Sequence, residues 1–148
     1  MKILVDADSC PARAREIIIR NAMRLNIQTV FAANRSIPGI KGENISMEIC
    51  GKTEGAADLR ILELAETGDL VISRDIPLAQ KLIEKDVIVI NDRGREYNRE
   101  NIGEMLSLRN FTVGLANNGM DFERTASYGQ KEIKKFAASL DRILSSKN

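Results

Sequence analysis

Asp6 and Asp8 stand two residues apart directly after the short apolar run Ile3-Leu4-Val5, and Asp75 follows a second such run, Leu70-Val71-Ile72, by three residues. Carboxylates brought close together repel unless a cation or a shared proton lies between them. No Lys or Arg stands between Asp6 and Arg13 to neutralise the pair at the first run. A divalent metal held by Asp6, Asp75 and Asp8 is the simplest compensation. The chain contains no histidine. That excludes Ser–His and Cys–His nucleophile systems and leaves oxygen ligands for any metal, which favours Mg²⁺ or Mn²⁺ over Zn²⁺. Paired metal ions held by such a set can activate a water and stabilise a leaving oxygen without an imidazole base.

Each acid also has an ordinary structural reading. Asp75 fits the N-cap of a helix beginning at Ile76, and Asp58 in a first helical turn suits the macrodipole. Asp8 with Ser9 could cap the first helix, and Asp92 before Arg93-Gly94 could be a turn residue. Asp6, placed at the end of a buried strand with Asp8 two residues on, is the one these readings leave unexplained. Cys10 precedes Pro11 at a helix start and reads as a structural thiol rather than a nucleophile.

The elements that position these residues alternate. Strands are expected at Ile3–Val5, Ile27–Ala33, Ile45–Ile49 (an edge strand), Leu70–Ile72 and Val87–Ile90. A helix begins near Pro11 and carries Ala14, Ile17, Ile18, Ala22 and Leu25 on one face. Further helices are expected over 54–66, 76–85, about 98–108 and 130–144, with loops at 34–43 and 91–97 and a turn at Asn117-Asn118-Gly119. Short apolar strands alternating with helices specify an α/β fold, a three-layer α/β/α sandwich on a mostly parallel sheet. Its ligand edge lies at the carboxyl ends of the strands. That edge collects Asp6 and Asp8, then Asn34, then Ser73 and Asp75, and finally Asn91 and Asp92, while Asp58 approaches from a helix.

With 148 residues the chain fits one domain, a core over 1–110 and a C-terminal helical extension over 111–148 packed on it. Hydrophobic residues make up 43% and aromatics only 4%, so Ile, Leu, Val and Ala must fill the core and base-stacking platforms are not expected. Net charge is +1, which does not advertise a nucleic-acid binder. From Arg124 onward six Lys or Arg face two Asp or Glu, a local excess that a solvated helix face explains as well as phosphate binding does. Arg74 and Arg93, beside the acids, are candidates to hold phosphate, with Ser73 and Asn34 as further substrate contacts. Two cysteines, no signal segment and no apolar run near the ~20 residues of a membrane span point to a cytoplasmic protein.

The stretches Val5-Asp6-Ala7-Asp8-Ser9-Cys10-Pro11, Ala57-Asp58, Gly68 to Ala79 and Asn91-Asp92-Arg93-Gly94 closely resemble the bacterial YaiI/YqxD family, over residues 1 to about 110. That family looks like a branch of the PIN-like domains. The resemblance implies a parallel sheet and an acidic Mg²⁺ or Mn²⁺ site that cuts phosphodiesters, usually of RNA. On it, Asp6 matches the first-strand acid, Asp75 the acid after the fourth strand, Asp58 the mid-chain acid, Ser73 the small hydroxyl residue and Asp92 a late acid. The catalytic set is then Asp6, Asp58 and Asp75, with Asp8 and Asp92 as further metal ligands. Met120 to Gln130 lacks the Gly-Gly-Pro turn and basic-aromatic segment of the family. Two other readings compete. One is a non-catalytic module that keeps the acidic rim for metal or a protein partner. The other is a haloacid-dehalogenase-type phosphatase, which Asp6-x-Asp8 resembles and which Gly68-Asp69 with Asp75 could imitate, although Ser9-Cys10 stands where Gly-Thr is expected. The oligomeric state is open, a homodimer included.

Overall fold

The computed structural model describes residues 1–117 and 128–146, with side chains through 111 in the first stretch. Six strands form one sheet: β1 (Ile3–Asp6), β2 (Thr29–Ala33), β3 (Ile45–Ile49), β4 (Leu70–Ile72), β5 (Ile88–Ile90) and β6 (Glu96–Tyr97). The helices are α1 (Ala12–Leu25), α2 (Ala56–Leu64), α3 (Ile76–Glu84), α4 (Ile102–Asn117) and α5 (Gln130–Ser146), with a 3₁₀ turn at Ala7–Ser9. The strand order is β3-β2-β1-β4-β5-β6, and only the β5–β6 pair is antiparallel.

Strand residues alternate between two faces, and both faces are covered. Ile3, Val5, Phe31, Leu70 and Ile72 pack against Ala14, Ile18 and Ala22 of α1 and Phe136, Leu140 and Leu144 of α5. Leu4, Val30, Val71 and Val89 pack against Ile61 of α2, Leu78 and Leu82 of α3 and Ile102 of α4. The result is the three-layer sandwich that the alternating pattern demands. Winding runs outward from β1 through β2 to β3, then returns by way of α2 to β4 on the other side of β1. The order therefore reverses between β1 and β4, and a crevice opens there at the strands' carboxyl ends.

Where element boundaries differ from expectation, side chains supply the reason. β2 starts at Thr29 rather than Ile27, because Ile27 donates its N–H to the Ala22 carbonyl and Asn44 Nδ2 donates to the carbonyls of Ala22 and Ile27. Ile27 thus finishes α1 instead of joining the sheet. The helix expected near 98 begins at Ile102, since Asn98 accepts the amides of Glu100 and Asn101 in a tight turn. The expected loop over 91–97 contains the two-residue β6. The turn read at Asn118-Gly119, and 120–127 of the segment after it, lie outside the described residues.

At the opposite end of the sheet, Asp69 is buried and accepts the Lys2 amide (3.0 Å), the Lys2 ammonium (2.6 Å) and the Glu66 amide (2.8 Å). Those bonds hold its carboxyl below the usual range despite burial. Asp69 thus ties the amino ends of β1 and β4 together, far from the rim. Among the described residues no helix is long and apolar enough to cross a membrane.

Candidate active site

At the switch point a row of acids is joined through one hydroxyl. Asp6 ends β1, and its Oδ2 accepts from Ser73 Oγ at 3.1 Å and from Ser9 Oγ at 3.2 Å. Ser73 Oγ in turn accepts the Asp75 amide at 3.0 Å. The Asp75 carboxylate caps α3, its Oδ1 accepting the Leu78 amide at 2.9 Å, with Pro77 in the first turn. The cap reading and the site reading of Asp75 therefore hold together, because capping uses one oxygen and leaves the other. Asp58, in the first turn of α2, lines the same cleft as Asp75.

The electrostatics match this crowding. Burial pushes the Asp6 carboxyl up, its two serine hydroxyls pull it down, and the charges of Asp75 and Asp8 push it up again. Asp58 is pushed up to about 7, by burial first, then by its bond to Asp75 and the charges of Asp75 and Asp6, with Lys81 opposing. Protonation of Asp58 relieves the repulsion that a cation would otherwise relieve, and a divalent ion would compete with that proton. The donors are hard oxygens, which suits Mg²⁺ or Mn²⁺ in kind. Among the described residues, no three carboxylate or thiol side chains converge closely enough in this arrangement to ligate one ion together.

Asp58 and Asp75 open into a cleft of about 160 Å³ whose other walls are Leu59, Leu62 and Pro77 and the cations Lys81 and Arg109. Neither Lys81 nor Arg109 stands out in the sequence. Only the packing of α3 between α2 and α4 brings them beside the acids.

The remaining predicted residues are arranged differently. Asp8 is exposed and accepts the Asn34 backbone amide at 2.7 Å through Oδ2, linking the ends of β1 and β2, and it does not cap α1. Asn34 contributes that amide at the rim. Asp92 is only 2% exposed, and neither carboxylate oxygen accepts a well-aligned hydrogen bond. Its ionic partner is Arg74, whose Nε lies 3.2 Å from Oδ2 while its Nη2 donates to the Ser9 carbonyl at 3.0 Å. Arg74 therefore straps the loop after β1 to the loop after β5. Arg93 lies over the Tyr128 ring, 5.8 Å from its centroid, and the Tyr128 hydroxyl donates to the Asp92 carbonyl. Asp92 does not join the Asp6–Ser73–Asp75–Asp58 row. Cys10 is buried, and burial with the nearby Asp92 charge pushes its thiol up to about 12, which makes it a poor nucleophile.

A family model described as "Uncharacterized BCR, YaiI/YqxD family" matches residues 4–146. The chain belongs to that family. The match runs well past residue 110, where the recognisable motifs stop, and so takes in α5. Relatives include a UPF0178 protein of Treponema denticola, 52% identical over 97% of this chain and 92% of its own length. A UPF0178 protein of Treponema pallidum is 44% identical over 96% and 80% respectively, and one from Myxococcus xanthus is 39% identical over 97% and 94%. No solved structure matches the chain.

The raised Asp58 carboxyl gives the YaiI/YqxD acid row a pH response whose sign is fixed. A carboxyl whose folded pKa lies above its unfolded value of about 3.9 binds more protons when folded, so its contribution to stability falls as pH rises between those values. In EDTA, wild-type melting temperature is expected to rise on acidification from pH 8 to pH 5. With no histidine in the chain, few other groups titrate in that window. Asp58→Asn should shrink the rise and stabilise the metal-free protein at pH 8. An unchanged slope in the variant would show that Asp58 is not the group responsible.

Proposed function

We propose that this protein is a PIN-like, metal-dependent phosphodiesterase that hydrolyses RNA at the Asp6, Asp58 and Asp75 carboxylates. The observation that carries the reading is the row of three acids at the sheet's switch point, linked through Ser73 and bonded to hydroxyls and amides, with no ion pair to a basic side chain among the described residues. Asp6 and Asp75 supply the anionic oxygens for metal, and Ser73 fixes their spacing by donating to one and accepting the backbone of the other. Asp58, close to its titration midpoint at neutral pH, can release its proton when a cation arrives. Lys81 and Arg109 stand where a phosphate over Asp58 and Asp75 would meet positive charge. Bound Mg²⁺ or Mn²⁺ would polarise the phosphodiester and lower the pKa of the attacking water.

The test is a manganese titration read two ways, by melting temperature and by cleavage of a pooled RNA. Ion at a hundred times its dissociation constant adds about 2.7 kcal/mol to stability, on the order of 5–10 °C for a domain of this size. Cleavage should need the ion and stop in EDTA. No thermal shift, or an equal shift in Asp6→Asn/Asp75→Asn, removes the basis of the reading. A shift without turnover on any RNA would favour the second reading, a binding module. The phosphatase reading is weakened by Asp69, which sits at the amino end of β4 in a salt bridge with Lys2.

A further inference from the structure

Beside the acid row, on the other side of β1, a second hollow of about 350 Å³ is lined by Asp8, Arg15, Arg35, Ser36, Ile37 and Pro38. It opens at the carboxyl ends of β1 and β2, and Ala7, next to Asp6 in the chain, forms part of its wall. We infer that this hollow seats a backbone phosphate of a nucleic-acid strand, next to the phosphate held at the acids; the inference rests on the proposed phosphodiesterase reading and names the part of the substrate beyond the reacting bond.

Arg15 is half-buried, and its Nη1 donates to the Cys10 carbonyl, which fixes the guanidinium at the hollow and leaves its other donors without a partner among the described residues. Arg35 is exposed and has no hydrogen-bond or ion-pair partner among the described residues. Ser36 adds a hydroxyl, and Ile37 with Pro38 adds an apolar wall. Asp8 also lines the hollow, but it is already bonded to the Asn34 amide and pairs with neither arginine. Guanidinium forks match phosphate oxygens in geometry as well as charge. The Cα atoms of Asp6 and Asp8 lie at most roughly 7.6 Å apart along the chain, so one strand can reach both places. A phosphate monoester or a small phosphoester would fill only the acid site. A polynucleotide would fill both.

The experiment is anisotropy of labelled single-stranded ten-nucleotide RNA and DNA binding to the full chain in EDTA, where no turnover is needed. The Arg15→Ala/Arg35→Ala variant should bind roughly tenfold or more weakly, the loss of one to two charge-assisted bonds. Its salt dependence should flatten by about 0.7 in logarithmic slope, the value for one strand phosphate. Arg35→Glu, at an exposed side chain with no bond to lose, should weaken binding at least as much as Arg35→Ala and guards against misfolding. Arg13→Ala/Arg20→Ala, which removes the same charge from another part of α1, should stay within about twofold of wild type. Equal losses in both double variants, or no binding of either strand by wild type at low salt, overturn the inference. Weaker binding of RNA than of DNA would keep the phosphate site and reassign the substrate. The two proposals fail separately. Strand binding that needs Arg15 and Arg35 without manganese-dependent cleavage sinks the catalytic reading alone, and cleavage with an unchanged KM in the arginine variant sinks the hollow alone.

Discussion

Asp6→Asn is expected to abolish manganese-dependent RNA cleavage while leaving a protein that folds as well as wild type without metal. Asn keeps the shape and still offers one oxygen to the hydroxyls of Ser73 and Ser9, both of which now meet Oδ2 of Asp6. It removes a charge that burial and the neighbouring Asp75 and Asp8 already disfavour. Metal-free stability should therefore be equal or slightly higher. On the proposed reading, catalysis would lose the oxygen anion that anchors the ion, and several kcal/mol of transition-state stabilisation, at 1.36 kcal/mol per tenfold, amounts to roughly a hundred- to ten-thousandfold in rate. Asp75 offers the control that separates the roles. Asp75→Asn keeps a good N-cap for α3 and should lose activity alone, whereas Asp75→Ala should also cost about 1 kcal/mol of stability through the lost bond to Leu78. A clearly lower melting temperature for Asp6→Asn would mean that Asp6 is chiefly structural. Measurable cleavage by it would show that the acid row is not the reacting centre.

The residues differ in how plainly the sequence shows their place, for physical reasons. The strands were legible because Ile3-Leu4-Val5 and Leu70-Val71-Ile72 are continuous apolar runs, and a parallel sheet covered on both faces needs such runs. Asp6 and Asp75 were legible because a charge directly after a buried strand must sit at its rim. Ser73 was legible with them, although its bridging bond depends on the β1–β4 pairing. The two-residue β6 carries too little pattern to register. Lys81 and Arg109 sit on different helices, and only tertiary packing makes them neighbours of Asp58. Asp92, before Arg93-Gly94, reads as a turn residue, yet Tyr128 and α5, 36 or more residues later, close over it. Arg15 and Arg35 each look like surface charge until the loop after β2 folds back against α1. What sequence conveys poorly is which side chains meet across elements.

Gly94→Ala is expected to lower the melting temperature by on the order of 10 °C. Gly94 turns the chain from β5 into β6 with φ +84°, the left-handed region, and a side chain there is strained by roughly 1 kcal/mol or more. Space is the larger obstacle. A Cβ on Gly94 would stand 2.5 Å from the Lys135 carbonyl oxygen and 2.9 Å from Ser139 Oγ, both on α5. Backbone cannot yield as a flexible side chain does, so overpacking adds about 1–3 kcal/mol. The total, about 3 kcal/mol, gives the expected shift at 2–4 °C per kcal/mol. Ser139 also donates to the Gly94 carbonyl at 2.6 Å, so the helix would lose a bond as it moved away. Gly103→Ala is the control: its Cβ meets nothing within 4 Å and its φ is not in the left-handed region, so it should be neutral or stabilising. The consequence reaches the site, because the turn that Gly94 closes carries Asp92, and Asp92 holds Arg74 against the loop of Asp6. Melting of Gly94→Ala at the wild-type temperature would show that α5 is not seated on this turn. The clamp from α5 through Asp92 and Arg74 to the acid row would then have no foundation.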